Sequence, residues 1–355
     1  MGANRWLCLR LAMAATVGLA VLSTGPSASA NDMDPVLARM WRYDPTTDQI
    51  VTRDDLFDAL SLDLAQGFAP NVLHPAETLG WSGFYMGLEA TLTIIDSQAM
   101  QWRCGVEANE GRGGGDMGCN SWDVADGALF VPSIHVRKGL PYSIELGFQI
   151  QYMANSELVG IGGEIRFAPF EGYREGWAGY LPDVAVAFTG NYIMGSSELA
   201  IGQLGVDLSM SYPFTISGQF TITPYVGYSF FIVGADHEQV FNSLHIDDPQ
   251  SLQDFCAAPP GGGDPIDPCS EYLEFNGGSS RNFGQEIAGL TYHRFYVGAR
   301  FLWENLTITP QFGVTFPGTV GSANGRVVTD SGGNQYENAE ARSHFQLSIS
   351  VGSDF

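Results

Sequence analysis

Residues 143–152 read Ser-Ile-Glu-Leu-Gly-Phe-Gln-Ile-Gln-Tyr, and apolar side chains alternate there with polar or small ones. Successive side chains of an extended chain point to opposite faces, so this stretch predicts a β-strand with one apolar and one polar face. The same alternation recurs at residues 157–168, 306–317 and 343–355. Several such strands in one chain predict an all-β fold. The apolar face of the first stretch carries Ile144, Leu146, Phe148, Ile150 and Tyr152.

Ten segments of this type follow one another from residue 81, and the connections between them tend to alternate between short and long. Most are at least as long as the roughly nine to eleven residues that a tilted strand needs to cross a bilayer. Their polar faces are rich in Gly, Ser, Thr and Gln, which favours a membrane barrel over a soluble β-sandwich. We therefore predict an antiparallel transmembrane β-barrel of about ten strands within residues 80–355. The predicted strands are 81–95, 127–138, 141–153, 157–168, 183–194, 198–211, 218–234, 286–303, 306–317 and 343–355.

The N-terminal residues 1–30 have the three parts of a secretory signal peptide. Arg5 and Arg10 supply positive charge, residues 11–22 are apolar, and residues 28–30 form the small-x-small site Ala-Ser-Ala. The apolar run is shorter than the roughly 20 residues that a spanning helix requires. We predict export of the chain and cleavage after Ala30.

The last predicted strand ends in Phe355 and has apolar residues at alternate positions from Phe345. This ending resembles the C-terminal signature by which Gram-negative outer-membrane β-barrel proteins are recognised for assembly. Ser353 departs from the signature, because the family usually has an aromatic or apolar residue there. The resemblance covers only the last strand and identifies no subfamily. It implies an outer-membrane location, contact with membrane lipid and lipopolysaccharide, and recognition by the assembly machinery through this strand.

The chain is strongly acidic, with 16 Lys and Arg against 39 Asp and Glu and a formal charge of −23. Residues 1–30 hold two arginines and no acid, so without them the balance is 14 − 39 = −25. Nucleic-acid binding depends on Lys and Arg that neutralise phosphates, so we predict no nucleic-acid partner. The connection 235–285 is especially acidic. It could bind divalent cations such as Ca²⁺, or its charges are simply solvated.

Eight charged residues fall on the strand faces that are predicted to point inward, and four acids meet four bases there. In one interpretation they line a narrow passive channel, a porin-like uptake pore for small or amphipathic solutes. In the other they pair across the lumen of a closed structural or surface-interaction barrel, since small barrels are largely filled by side chains. The eight residues are Glu89, Glu145, Glu164 and Asp207 with Arg137, Arg166, Arg294 and Arg300.

Residues 31–79 differ from the rest because they contain a helical pattern. Thr52 and Asp55 have the spacing of a capping box. A stripe of leucines follows and ends before Gly67, where we expect the helix to stop. We predict a short helical segment that lies either in the periplasm or inside the barrel as a plug.

Residues 44–55 resemble the calcium loop of the EF-hand family. Asp44, Asp48 and Asp55 match its first, fifth and twelfth positions, although Gln49 replaces the usual glycine and Asp55 the usual glutamate. The resemblance implies a calcium site formed by these three aspartates. The other interpretation is a metal-free turn, and no further cofactor is predicted.

Four cysteines remain after the predicted cleavage, and an exported chain with an even number of cysteines typically forms disulfides. Three pairings are possible. Proximity in sequence favours Cys104 with Cys119 and Cys256 with Cys269. Each pair would close a short loop within a long external connection.

One family of ten-stranded outer-membrane proteases uses carboxylates and an Asp-His pair at the external rim of the barrel. Asp236 and His237 lie near the predicted rim. Adjacent side chains on a strand point to opposite faces, which makes this pair unsuited to act as a dyad. We predict that the protein is not an enzyme.

Overall fold

The computed structural model describes residues 33–35, 37, 40–44, 49–106, 125–171, 181–196, 199–216, 220–237, 289–329 and 335–355. Two helices are present in this part, α1 (Asp54–Gly67) and α2 (Met100–Gly105). The strands are β1 (Trp41–Asp44), β2 (Gln49–Thr52), β3 (Phe84–Ile94), β4 (Ala128–Leu140), β5 (Ile144–Tyr152), β6 (Val159–Phe170), β7 (Asp183–Met194), β8 (Leu199–Ser211), β9 (Phe214–Ile216), β10 (Phe220–His237), β11 (Leu290–Trp303), β12 (Leu306–Pro317), β13 (Val327–Thr329), β14 (Gln335–Glu337) and β15 (His344–Asp354).

Ten of these strands form one closed antiparallel barrel, in the order β3, β4, β5, β6, β7, β8, β10, β11, β12 and β15. The barrel closes where β15 pairs with β3. At this seam Phe84 and Phe355 exchange two backbone hydrogen bonds, with N···O distances of 3.0 and 2.8 Å. The all-β class, the strand number and the antiparallel pairing are as predicted.

The two ends of the barrel differ in their connections. At the turn end, residues 141–143 and 304–305 join neighbouring strands by short links, and the chain finishes at Phe355. At the loop end, the longest connections follow β3, β10 and β12, whereas those after β5 and β7 are short; the connection 171–182 is a longer link at the turn end. The first wall strand, β3, begins at the turn end, and the last wall strand, β15, ends there. The two strands are neighbours in the wall.

The faces of the barrel strands are inverted relative to those of a water-soluble protein. In β5, Glu145 and Gln149 are buried, whereas Phe148 is 50% exposed and its neighbours Leu146 and Ile150 are also exposed. Alternating burial of the same sense runs along the other barrel strands. An apolar outer face and a polar inner face match a barrel that is surrounded by lipid. The fold is therefore that of an outer-membrane β-barrel.

Helix α1 lies inside the barrel near the loop end. All its residues from Asp55 to Gly67 are buried, and it packs against β3, β4, β8, β10 and β11. Its leucines share one apolar core with inward residues such as Phe231 and Tyr292 and with Trp102 of α2. Of the two predicted locations, the periplasm and the inside of the barrel, the helix occupies the second, where the barrel wall supplies apolar partners for it. Neither described helix is long and apolar enough to cross a membrane.

The predicted capping box of Thr52 and Asp55 is wrong. Helix α1 begins after Arg53, and no side chain caps it. The carboxylate of Asp55 instead accepts hydrogen bonds from Arg53 Nε and NH2, at 2.8 and 2.7 Å, and from the backbone N–H of Ala339 at 2.7 Å. Asp55 therefore accepts a hydrogen bond from a residue 284 positions away in the sequence instead of forming the predicted capping box with Thr52.

Candidate functional site

Residues 68–80, called the lumen thread below, join α1 to the start of the barrel wall. The thread leaves α1 near the loop end and has reached the turn end by Ala76. There the backbone N–H of Ala76 donates to Ser211 Oγ of β8 at 3.0 Å. Pro70 and Pro75 disfavour helical conformation in the residues before them, which keeps the thread extended. Residues 68–76 are all buried. The thread therefore occupies the lumen along its height.

Two buried arginines of the wall bind the proline carbonyls of the thread. Arg294 of β11 donates from NH2 to Pro70 O at 2.8 Å, and Arg166 of β6 donates from NH1 to Pro75 O at 3.0 Å. The carbonyl groups of an extended chain have no partners within the chain, so the wall must supply donors for them. The guanidinium groups therefore satisfy the thread and position it at two heights.

Two further arginines hold the thread nearer the turn end. Arg300 of β11 forms an ion pair with Glu77. Arg137 of β4 donates to Glu145 Oε1 at 3.0 Å, and Glu145 Oε2 accepts the backbone N–H of Leu79 at 2.9 Å. All four predicted inward arginines thus contact the thread, three of them directly and one through Glu145.

Imidazole and carboxylate groups alternate between the wall and the middle of the thread. His74 Nε2 lies 3.3 Å from Glu164 Oε1, and the same oxygen lies 3.8 Å from His135 Nε2. His135 Nδ1 in turn lies 3.0 Å from Glu89 Oε1. All four side chains are buried. The row connects β3, β4 and β6 to the thread through polar groups.

Three groups of this region have the spacing of metal ligands. Ligand atoms of His74, Glu145 and Glu164 all lie within 4.8 Å of one another. However, the Arg166 guanidinium contacts His74 Nε2, and Arg137 bonds Glu145 Oε1. Two of the three ligands are therefore already bound by cationic side chains, and we interpret the cluster as an ion-pair network.

Asp207 of β8 is the centre of a second polar cluster. Its carboxylate accepts hydrogen bonds from Ser229 Oγ at 2.7 Å and from the Tyr296 hydroxyl at 2.8 and 2.9 Å. Arg294 donates to Ser229 Oγ at 3.2 Å, and its guanidinium lies 5.5 Å from the ring of Tyr296. The arginine that binds the thread is thus coupled to a buried carboxylate of the wall.

The wall also satisfies the C-terminal end of α1. The last carbonyl groups of a helix have no partners within it. Phe68 O accepts hydrogen bonds from Asn191 Nδ2 at 2.8 Å and from Gln203 Nε2 at 3.0 Å, and Gln66 O accepts one from Gln346 Nε2 at 2.7 Å. Inward amide side chains of three strands therefore hold the junction of helix and thread.

Asp63 ties α1 to the loop end. Its carboxylate accepts hydrogen bonds from Trp102 Nε1 at 2.8 Å and Gln101 Nε2 at 3.1 Å, both on α2, and lies 2.8 Å from His344 Nε2 of β15. All of these groups are buried. The carboxylate thus joins the plug helix, an external connection and the wall at one point.

One small cavity lies between the thread and the wall. Its lining includes Pro70, His135, Gln149 and Glu164, and its volume is about 10 Å³. A space of this size holds about one water molecule. Within the described residues it is too small to admit a solute.

The structure places all eight predicted inward charges inside the barrel, each with at most 7% of its surface exposed. The alternation of side chains along each strand was enough to predict this placement. Sequence reasoning missed their partners on the thread, His74, Glu77 and the two proline carbonyls, because the thread has no periodicity. The two X-Pro steps between the helix and the first wall strand were the available signal.

Two of the three predicted calcium ligands can be located in the structure. The backbone of Asp44 pairs with that of Gln49 between β1 and β2, whereas Asp48 lies outside the described residues. The carboxylate of Asp55 accepts hydrogen bonds from Arg53 and from the backbone N–H of Ala339. The calcium site stays a prediction.

The predicted disulfides fall mostly outside the described part of the chain. Cys104 is buried in α2, next to the core around α1. Cys119, Cys256 and Cys269 lie outside the described residues. Both pairings therefore stay predictions.

No protein-family model matches the sequence, and no curated protein matches it. Among solved structures, the chain is similar to Neisserial surface protein A, with 11% identity, 77% of this chain and 97% of that chain covered, and a TM-score of 0.27. It is also similar to the attachment invasion locus protein Ail of Yersinia pestis, with 8% identity, coverages of 78% and 99%, and a TM-score of 0.23.

A third similar structure is the outer-membrane protease OmpT of Escherichia coli, with 7% identity, coverages of 79% and 98%, and a TM-score of 0.24. With TM-scores of 0.23 to 0.27, these similarities support no inference about the fold or the activity of this chain. Asp236 and His237 are the last two residues of β10, which extends three residues beyond the predicted strand 218–234. The class of the protein rests on its own geometry, a closed ten-stranded barrel with an apolar outer face.

Proposed function

We propose that the protein is an outer-membrane barrel that is closed by its own N-terminal segment and works as a structural or surface-interaction protein, without enzymatic activity. The observation that carries this proposal is the lumen thread, which is buried from residue 68 to residue 76 and bonded to the wall at several heights. Export with cleavage after Ala30 belongs to the same proposal.

The contacts favour a closed lumen over a passive channel. A channel needs wall charges that face water, whereas Arg294 and Arg166 donate to thread carbonyls and Arg300 pairs with Glu77. Breaking these contacts would leave buried guanidinium groups without partners, which is costly. The narrow uptake pore would therefore require displacement of the thread.

Conductance of the refolded chain in a planar bilayer tests the proposal. We expect no steady conductance from residues 31–355, and discrete openings from a matched chain that lacks residues 31–79. Heat-modifiable electrophoretic mobility verifies in both cases that the barrel has folded. Openings from the longer chain would contradict closure, and silence from both folded chains would show that the N-terminal segment is not what closes the lumen.

The external partners are proposed from charge and location. Acidic external connections, above all 235–285, would contact lipopolysaccharide or neighbouring surfaces through bridging divalent cations. The assembly machinery would recognise the C-terminal strand that ends in Phe355. Deletion of residues 240–285 should abolish calcium-dependent binding of cells to lipopolysaccharide-coated surfaces and leave barrel assembly intact. Unchanged binding would contradict the role of this connection.

A further inference from the structure

The chain that precedes α1 lies at the loop end of the barrel, opposite the start of the wall. Met33 N donates to Asn155 O at 3.0 Å, in the connection between β5 and β6. Asp34 Oδ1 accepts hydrogen bonds from Ser156 Oγ at 2.6 Å and from Glu157 N at 2.7 Å. Residues 33 and 34 are therefore docked on a connection of the loop end.

Further contacts keep the same segment at this end up to the helix. Pro35 forms a backbone bridge with Val106, just after α2. Arg53 N donates to Met40 O at 2.8 Å, which joins the chain on both sides of the β1–β2 hairpin. The described residues 33–35, 40 and 53 therefore lie at the loop end, and the segment 33–53 that contains them is called the N-terminal strap below.

The length of the lumen thread allows it to connect the strap to the opposite end. An extended chain spans at most about 3.3–3.6 Å per residue, so the 13 residues 68–80 reach at most about 43–47 Å. The apolar band of an outer-membrane barrel is about 25 Å tall. The thread can therefore cross the membrane thickness once, and its contacts with Ser211 and Glu145 show that it reaches the turn end.

In outer-membrane barrels short turns face the periplasm and long connections face the exterior. From these placements we propose that the barrel passes its own N-terminal segment through the lumen and displays the strap on the outer surface of the cell. This inference goes beyond closure of the barrel, since a plug that enters from the periplasm would close it equally well.

Insertion of one short epitope at three positions of the full chain tests the topology. The first variant carries it between Thr46 and Thr47, in the connection of β1 and β2. The external control carries it after Arg326, which is exposed at the loop end, and the internal control carries it after Tyr142, which is 88% exposed at the turn end. Antibody binding is measured on intact cells and on detergent-solubilised folded protein.

We expect intact cells to bind antibody at the strap and at Arg326 but not at Tyr142, and solubilised protein to bind at all three positions. A strap that is hidden in intact cells while Arg326 is accessible would overturn the inference. Accessibility at Tyr142 alone would also overturn it, because the barrel would then be inserted the other way round. If the strap insertion prevents heat-modifiable folding, Thr47→Cys with a membrane-impermeant maleimide gives the same two readings. The conductance measurement tests closure of the lumen and the antibody measurement tests external display of the strap, so each proposal can fail without the other.

Discussion

Replacement of Arg294 by Met removes one anchor of the lumen thread and keeps most of the side-chain volume. Arg294 is fully buried and donates to Pro70 O at 2.8 Å and to Ser229 Oγ at 3.2 Å. A hydrogen bond that involves a charged group contributes about 1.5–3 kcal/mol, so the two bonds together contribute about 3–6 kcal/mol. Arg294 also shares Ser229 and Tyr296 with the carboxylate of Asp207.

We therefore expect Arg294→Met to lower the free energy of unfolding by about 3–6 kcal/mol, the contribution of its two charge-assisted hydrogen bonds. The measurement is urea unfolding of the barrel in lipid vesicles, followed by tryptophan fluorescence and extrapolated linearly. The matched control is Arg326→Met at the exposed loop end, for which a change within about 0.5 kcal/mol is expected. A loss below about 1 kcal/mol for Arg294→Met would refute the view that this arginine anchors the thread.

The double variant Arg294→Met/Asp207→Asn separates the charge effect from lost packing. Both residues share Ser229 and Tyr296 as partners, so their effects should not be independent. We expect the double variant to lose at least about 1 kcal/mol less than the sum of the two single variants. Strict additivity would show that the two charges do not stabilise each other.

Three shorter predictions concern other contacts. Asp63→Leu removes the carboxylate that Gln101, Trp102 and His344 contact and should lower the free energy of unfolding by at least about 3 kcal/mol in urea unfolding. A loss under about 1 kcal/mol would contradict the role of Asp63. In Gly139→Ala the added methyl group would clash with the Gly80 carbonyl oxygen, so the free energy of unfolding in urea should fall by about 1–3 kcal/mol. The control Gly127→Ala adds a methyl group with no neighbour within 4 Å and should leave this free energy unchanged. Cys104→Ser should add one thiol in a titration of the urea-unfolded chain, because the disulfide partner of Cys104 becomes free, and should lower the free energy of unfolding by about 3 kcal/mol; a thiol count that falls by one would exclude a disulfide at Cys104.

Sequence periodicity identified the wall of this barrel with few errors. A strand has a side-chain period of two, so Glu145 and Phe148 had to lie on opposite faces whatever the rest of the chain did. The same parity placed all eight inward charges. It left open whether those charges face water or other groups, because that depends on what fills the lumen.

The wrong capping-box prediction has a physical cause. Asp55 has the local spacing of a cap, yet its carboxylate is bound by Ala339 N from the far end of the chain. Side chains with several possible partners are assigned by tertiary contacts, which a local pattern does not contain.

The sequence by itself determined the all-β class, the ten wall strands and the side of the wall on which each residue lies, because these follow from a period that is local along the chain. Only the tertiary structure decided that α1 and the thread fill the lumen. That placement depends on contacts such as Arg294 with Pro70, which lie 224 residues apart. Extended, proline-containing chain has no intrinsic preference for a location, so the donors and acceptors that surround it determine where it lies.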